Sequence, residues 1–593
     1  MRNWGRAPVR RAALEAPEED DAMSRPTAAC FIIALVLLCG ERRADAQLTY
    51  VERSTGLNQP GLEGGNTELE FGDVNGDGHP DLVSVGDHGS PYVNTTEHGV
   101  MVWFGNGTGT WSVFQYGNFG YGGIALGDVN SDGLMDVGYG VHHNYSGVDL
   151  GDQILEVALG NGTGQTWTAW DNGLATNGET WGMFGSDFAD VDNDGDLDLG
   201  SVSFGCCAGV HIYRNNENGT WTQSFGFTGG NSQSTFQFGD LNGDGNPDFA
   251  CGLSNGTVYL GNGAGGYTLT DGNLPAPGSG GRPGIALGDV TDDGRDELAF
   301  ATATGIGVYK WLAPGQWQNL SGTLANVGAV QLTQIADMNL DGHGDVVAMF
   351  LGHFTVYAGN GQGQWQAIAN VITPAACDFA AFRAGTDFDH NGYPDFAFVA
   401  EENCQPYTGG VNHLHAYGES SVPTTPWIYP KYPRGGEKFV AGSVRFVDWH
   451  AAVPAGSGQP TMSIELSIHG SGGPFGAIAG PVPNNGRFQW IVPPHVPASA
   501  SCYLRLTLNT EPPATATTPN AFTILIPAPP PTGDGNCDGT VDFGDINPFV
   551  QALADPSGYA ATYPLCDHAQ ADCNADGAVD FGDINPFVAL LTR

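Results

Sequence analysis

The feature that most limits the fold is a ten-residue acidic stretch that returns seven times. It reads DVNGDGHPDL from Asp73, DVNSDGLMDV from Asp128, DVDNDGDLDL from Asp190 and DLNGDGNPDF from Asp240. It continues as DVTDDGRDEL from Asp289, DMNLDGHGDV from Asp337 and DFDHNGYPDF from Asp387. Successive copies start 55, 62, 50, 49, 48 and 50 residues apart. A period of this length marks a supersecondary unit that buries its apolar face only by stacking on its neighbours. Each copy also sets acidic or amide residues at alternate positions of one tight loop. Two carboxylates ~5 Å apart repel by roughly 3 kcal/mol at an effective dielectric near 20. Such a loop therefore holds a cation or lies open to solvent.

The rest of the unit repeats as well. An alternating strand precedes several loops (ELEFGDV, GIALGDV, FQFGDL) and an apolar strand follows each (DLVSVG, DFAFVA). A third strand ends in a Gly-Asn-Gly turn (VMVWFGNGTG, VYLGNGAGG, VYAGNGQG), and an aromatic-led fourth closes the unit (TWSVFQ, TWTQSF, QWQAI). Four short strands turned by Gly and Asn describe a propeller blade. The expected fold is mostly β, with a seven-bladed β-propeller over 47–421. The seventh unit ends at VNHLHAYGES without a fourth strand, and LTYVERS at 48–54 is expected to supply it and close the ring. Closure removes two exposed sheet edges.

Loop and strand frame together resemble the FG-GAP/VCBS repeat of integrin-α-type propellers. The resemblance implies that the loop between the first two strands of each blade holds Ca²⁺. Oxygen-only ligands suit a hard cation, and Gly at position six allows the sharp turn. Carried onto this chain, the first loop's ligands are Asp73, Asn75, Asp77, the His79 carbonyl and Asp81. The second loop gives Asp128, Asn130, Asp132, Leu134 and Asp136, and the third Asp190, Asp192, Asp194, Asp196 and Asp198. Asp240, Asn242, Asp244, Asn246 and Asp248 form the fourth set, and Asp289, Thr291, Asp293, Arg295 and Glu297 the fifth. The sixth is Asp337, Asn339, Asp341, His343 and Asp345; the seventh is Asp387, Asp389, Asn391, Tyr393 and Asp395. Thr291 and Glu297 depart from the pattern, so the fifth site is expected to be weaker, and Asn391 leaves the seventh with one charge fewer.

Sixty-four acidic against 20 basic residues give a formal charge of −44. That balance disfavours nucleic acid and anionic membrane surfaces, whose phosphates need Lys and Arg. Acids gathered at fixed loop spacing favour cation binding over general solvation. Residues 1–22 read as an overextended start. From Met23 a basic n-region, an apolar run from Ala28 to Leu38 and Ala44-Asp45-Ala46 form a secretory signal over 23–46, too short to span a membrane. A lipoprotein reading at Cys39 is weakened by the bulk of Leu38 before it. The mature chain, with no membrane-spanning segment expected, is then secreted or held at the cell surface. Nine cysteines follow the cleavage site. Export permits Cys377 with Cys404 and Cys537 with Cys566 to pair, and the odd count leaves a thiol over.

From 422 to 527 short alternating strands such as MSIELSIHG, FQWIVPP and SCYLRLTL suggest an Ig-like or fibronectin-like sandwich. A Pro-rich linker spans 528–533. Beyond it lie two near-copies, DGNCDGTVDFGD from Asp534 and DCNADGAVDFGD from Asp572, each with the twelve-residue frame of an EF-hand loop. The first set is Asp534, Asn536, Asp538, Thr540, Asp542 and Asp545; the second is Asp572, Asn574, Asp576, Ala578, Asp580 and Asp583. INPFVQAL and INPFVALL follow as short helices. Residues 534–593 resemble a type I dockerin, which implies two Ca²⁺ ions and a cohesin-like partner. Phe543-Gly544 and Phe581-Gly582 stand where many dockerins carry hydroxyl residues, and the segment between the halves is long. A self-contained calcium module stays open beside the docking reading.

No coherent catalytic set emerges. GLSNG at 252–256 matches a nucleophile elbow but sits where a hairpin turn is needed. GNGAGG at 261–266 is a blade turn without a βαβ frame, and His142-His143 lacks a carboxylate frame. The sequence therefore points to an exported calcium-binding modular protein, its propeller binding a glycan or surface protein and its tail attaching to a partner. An extracellular polysaccharide-degrading enzyme (glycoside hydrolase or polysaccharide lyase) or its accessory protein, and a structural surface component, are the alternatives.

Overall fold

The computed structural model describes residues 47–593 apart from 58–61, 64–67, 87–97, 121, 145–149, 180–181, 204, 207–208, 278–280, 403–410, 495, 527–530, 537–540, 564–565, 567 and 592–593. The expected signal segment and Cys39, Cys404, Cys537, Asp538 and Thr540 lie outside the described residues.

The alternating and apolar runs form four-stranded antiparallel sheets arranged in sequence order, like propeller blades. In unit 1 the strands are Glu70–Gly72, Asp81–Val85, Val100–Gly105 and Trp111–Tyr116. Units 2 to 6 follow over 124–169, 183–227, 231–269, 286–319 and 332–372. Unit 7 comprises Asp378–Thr386, Asp395–Glu401 and Val411–Glu419. Its fourth strand is Tyr50–Glu52 from the N-terminus, with Val51 opposite Gly418. The first strand of each unit touches that of the next, and the first strands of units 7 and 1 also meet.

Second strands are wholly buried because neighbouring sheets cover both faces, which explains their unbroken apolar runs. Cores lie between adjacent sheets: Val83 and Val102 of unit 1 pack with Val137 and Tyr139 of unit 2. In units 3, 5 and 6 a fourth-strand tryptophan ties the unit to the one before. Trp221 Nε1 donates to Trp170 O (2.7 Å), Trp317 Nε1 to Thr270 O (2.9 Å) and Trp365 Nε1 to Leu320 O (2.8 Å). Trp111 Nε1 donates in the same way to Arg53 O at 2.8 Å, so the N-terminal segment takes the place of the preceding unit.

Residues 427–525 form two sheets around one core. Trp427–Tyr432, Val444–Ala452 and Arg487–Ile491 make the first, and the second is centred on Ser499–Leu508 and Met462–Ser467. Trp449 and Trp490 from one sheet pack against Ile464, Leu504 and Leu506 from the other. In the C-terminal part, the helices Ile546–Ala554 and Ile584–Leu590 meet through Phe549 and Phe587, stacked 4.0 Å apart. The long intervening segment adds the helix Pro556–Thr562. It buries Tyr559, whose hydroxyl donates to Gly535 O at 2.9 Å.

Candidate metal centres

Each acidic repeat connects the first and second strands of its unit. Position six is Gly with positive φ in all seven copies, from Gly294 at +82° to Gly195 at +106°. Its N–H donates to the position-one carboxylate at 2.7–3.2 Å. Position nine (Asp81, Asp136, Asp198, Asp248, Glu297, Asp345, Asp395) is fully buried. One of its oxygens accepts the N–H of position two at 2.8–3.1 Å. In six units the other accepts a third-strand N–H, from Gly105, Gly160, Asn215, Gly261, Gly359 and Glu419, at 2.8–3.0 Å. One carboxylate thus fastens the loop to two strands. This explains why an acidic residue recurs deep in the sheet, at the cost of desolvating it.

Without a cation that cost raises the carboxyl pKa values. Burial pushes Asp81 up to about 8, Asp136 to about 7 and Asp248 to about 9, with loop carboxylates adding to the rise. Asp198, Asp345 and Asp395 lie well above the ordinary carboxylate range for the same reason. A pKa raised in the fold means that the folded chain holds protons the unfolded chain has released. That stability is complete below the unfolded carboxyl pKa and is lost as pH rises through the folded value. Burial lowers His390 to about 4 and His450 to about 3, which acts in the opposite sense at lower pH. Metal-stripped protein is therefore expected to melt at a lower temperature at pH 9 than at pH 7, and calcium is expected to remove most of the difference. Calorimetry at the two pH values checks this.

The donor sets fit a hard cation. Among the described residues, Asp192 Oδ1, Asp196 Oδ1 and Asp387 Oδ1 are buried without a hydrogen-bond partner, an arrangement that a bound cation satisfies. Carboxylate oxygens of Asp190, Asp192 and Asp194, and those of Asp387, Asp389 and Asp395, lie within 4.8 Å of one another. Asp289, Asp293 and Glu297 make a third such group. Its content differs: the Lys310 ammonium stands 2.6 Å from Asp293 Oδ2 and 2.8 Å from Glu297 Oε1. The expectation of a weaker calcium site at Thr291 thus meets a fixed internal charge. In the seventh loop Asn391 Nδ2 donates to Glu419 O (2.6 Å), a bond no carboxylate could make there.

The second domain sits directly on this loop face, a placement that no motif in the chain marks. Asn485 Nδ2 donates to Asp73 Oδ2 (3.2 Å) and Gln489 Nε2 to Asp128 O (2.8 Å). Val444 N donates to Asp190 Oδ2 (2.8 Å), and Arg445 Nη2 to Gly245 O (2.6 Å). Arg434 faces Asp292 at 3.5 Å, the Tyr429 hydroxyl binds Asp337, and Val453 N donates to His390 O (2.8 Å). All seven loops are engaged. In the fifth and seventh loops position six has no room for a side chain beneath this domain: a Cβ on Gly294 would lie 2.3 Å from Gly436 C, and one on Gly392 2.3 Å from Trp427, whereas one on Gly133 would meet nothing within 4 Å. Between the loop face and the second domain is a cavity of about 520 Å³, lined by Glu70, Asp187, Arg383, Lys431, Asp448 and Arg487 among others. Arg383 pairs with Glu70, and Arg487 chelates Asp448 at 2.8 and 2.7 Å.

The C-terminal loops use the same devices. Asp545 Oδ1 accepts from Gly535 N (2.8 Å), and Asp583 Oδ1 accepts from Asn574 N (2.9 Å). Asp572 accepts from Asp576 N and Gly577 N, and Asp542 and Asp580 cap the turns that enter the two helices. Cys377 and Cys566 each take part in a separate disulfide, while Cys251, Cys502 and Cys573 are free. Ser254 of the GLSNG stretch lies in a hairpin, where its Oγ accepts from Asn231 N at 2.8 Å. Among the described residues, no helix is long and apolar enough to cross a membrane.

Residues 73–139, 202–251 and 337–398 match the FG-GAP-like repeat. No curated protein matches the sequence. Similar solved structures include an Agrocybe aegerita lectin described as recognising non-reducing terminal N-acetylglucosamine, at 21% identity over 51% of this chain and 80% of that chain, TM-score 0.35. The BBS1N component of a complex with ARL6DN is 12% identical over 64% of this chain and 99% of its own, TM-score 0.38. The Vibrio cholerae biofilm matrix protein Bap1 is 10% identical over 81% and 85%, TM-score 0.28. The chain thus carries FG-GAP-like repeats in three regions, within sheets built like propeller blades.

Proposed function

We propose that this chain is an exported, calcium-dependent binding protein built on a seven-bladed propeller. The observation that carries the reading is the fixed structural task of the recurring acids. Positions one and nine bind loop N–H groups in every copy, and position nine binds a strand N–H in six of them, as staples do, and they are not poised as acid–base pairs. Ca²⁺ would be held by the acidic loop sets other than that of the fifth unit, and when bound it supplies charge neutralisation and cross-linking of the loop. The protein's own groups place the oxygens and exclude water. The Ig-like domain covers the loop face, so the ligand surface is assigned to the propeller's other face and rim.

The dockerin-like tail serves attachment. Phe543 and Phe581 are 77% and 84% exposed, and Ile546 and Ile584 flank them at equivalent positions on the two helices. Paired apolar faces of this kind suit a partner protein better than a sugar. The test is binding of purified protein to glycan and cell-surface arrays with and without chelator, with sugar release assayed in parallel. Calcium-dependent retention without product supports the reading. Release of reducing or unsaturated sugar ends would replace it with the polysaccharide-active alternative.

A further inference from the structure

We infer that the fifth repeat is a metal-free loop whose cation is the Lys310 ammonium. The inference rests on the calcium reading of the other loops and departs from it at this one. Three residues of this unit differ from the other copies, and all three touch. Thr291 stands at position three, Glu297 at position nine, and Lys310 on the third strand. Lys310 Nζ lies 2.5 Å from Thr291 Oγ1, 2.6 Å from Asp293 Oδ2 and 2.8 Å from Glu297 Oε1. An ammonium has three donors, and here each has an oxygen.

The register places Lys310 where the other units carry Phe104, Leu159, Arg214, Leu260, Ala358 and Gly418. Of these only Arg214 is charged. It reaches Asp192 Oδ2 at 3.1 Å, leaving Asp192 Oδ1 buried without a partner among the described residues. The longer Glu297 explains a second difference. Its Oε1 accepts from Lys310 and Thr291, and among the described residues no third-strand N–H reaches it. The side-chain cation therefore replaces both the metal and the strand bond. Arg295, half-exposed, adds a second positive charge on Asp293 at 2.7 Å. Unit 5 is thereby stapled whether or not calcium is present. Arg434 of the second domain faces Asp292 in this same loop, so one anchor of that domain does not depend on the metal.

The test compares the calcium content of the full chain with that of a Lys310→Met, Arg295→Ala variant, by elemental mass spectrometry after equilibration in calcium and gel filtration. The variant is expected to carry one further calcium per chain. Equal content overturns the inference. A calcium-free wild type beside a variant holding one ion would sink the calcium reading of the other loops and leave this one standing. Hydrogen exchange on the wild type keeps the inference open to refutation if the variant does not fold. The Asp293 and Gly294 amides, which donate to Asp289, are expected to exchange equally fast with and without calcium. Any calcium-dependent protection there overturns it.

Discussion

Deleting residues 47–57 is expected to abolish cooperative folding of the propeller rather than shave its stability. This segment buries Leu48, Tyr50 and Leu57, supplies the outer strand of unit 7 and accepts the Trp111 indole through Arg53 O. Full burial of an apolar side chain of this size contributes about 1.5–3 kcal/mol. Three of them, with the strand's hydrogen bonds, approach the 5–15 kcal/mol that separates a typical domain from its unfolded state. The deletion also strips Tyr417–Glu419 of its partner strand and leaves an open edge, an invitation to association. Thermal melts should lose their sharp transition, and gel filtration should show oligomers. A monomeric protein with an unchanged melt would show that the ring does not need this closure. The milder Leu57→Ala should cost about 2–5 kcal/mol, as a fully buried leucine does.

Calcium removal should be nearly as damaging. A site filled at a hundred times its dissociation constant stabilises the fold by about 2.7 kcal/mol, and the contributions of independent sites add. Several sites lost together should lower the melting midpoint by on the order of 10 °C or more. The loss should also have a place. Asp73, Asp190, Asp337 and Asp387 each bind a group of the second domain through a position-one carboxylate. Chelation leaves those carboxylates crowded and uncompensated, so the second domain should loosen as the loops do. Small-angle scattering should record a larger radius of gyration after metal stripping, and calcium should reverse it. An unchanged radius beside a lowered midpoint would separate loop stability from docking.

The repeats were legible because each loop needs the same side chains at the same spacing. Oxygen donors and a positive-φ glycine cannot be exchanged without losing the turn. The closure by LTYVERS was legible from a missing fourth strand. Docking on the loop face was not, because it uses the backbone N–H groups of Val444, Ala451 and Val453, which leave no mark in sequence. Tyr559 was missed for a related reason: nothing in a polar, Gly-containing stretch signals that one ring enters the core. Lys310 did leave a signal. Aligning the third strands of the seven units shows a lysine where most have apolar or small residues, in the one unit whose loop also departs at Thr291 and Glu297. Reading the loops alone turned that covariation into a merely weaker site.

The central claim is that one face of the blade-like sheets holds calcium and that the second domain rests on it. Hydrogen-exchange mass spectrometry of the full chain, with calcium and after metal stripping, tests it most directly. Calcium is expected to slow exchange at loop amides such as Gly78, Gly245 and Gly342, and at Val444 and Val453 across the interface. Identical exchange at these sites in the two conditions would contradict the account.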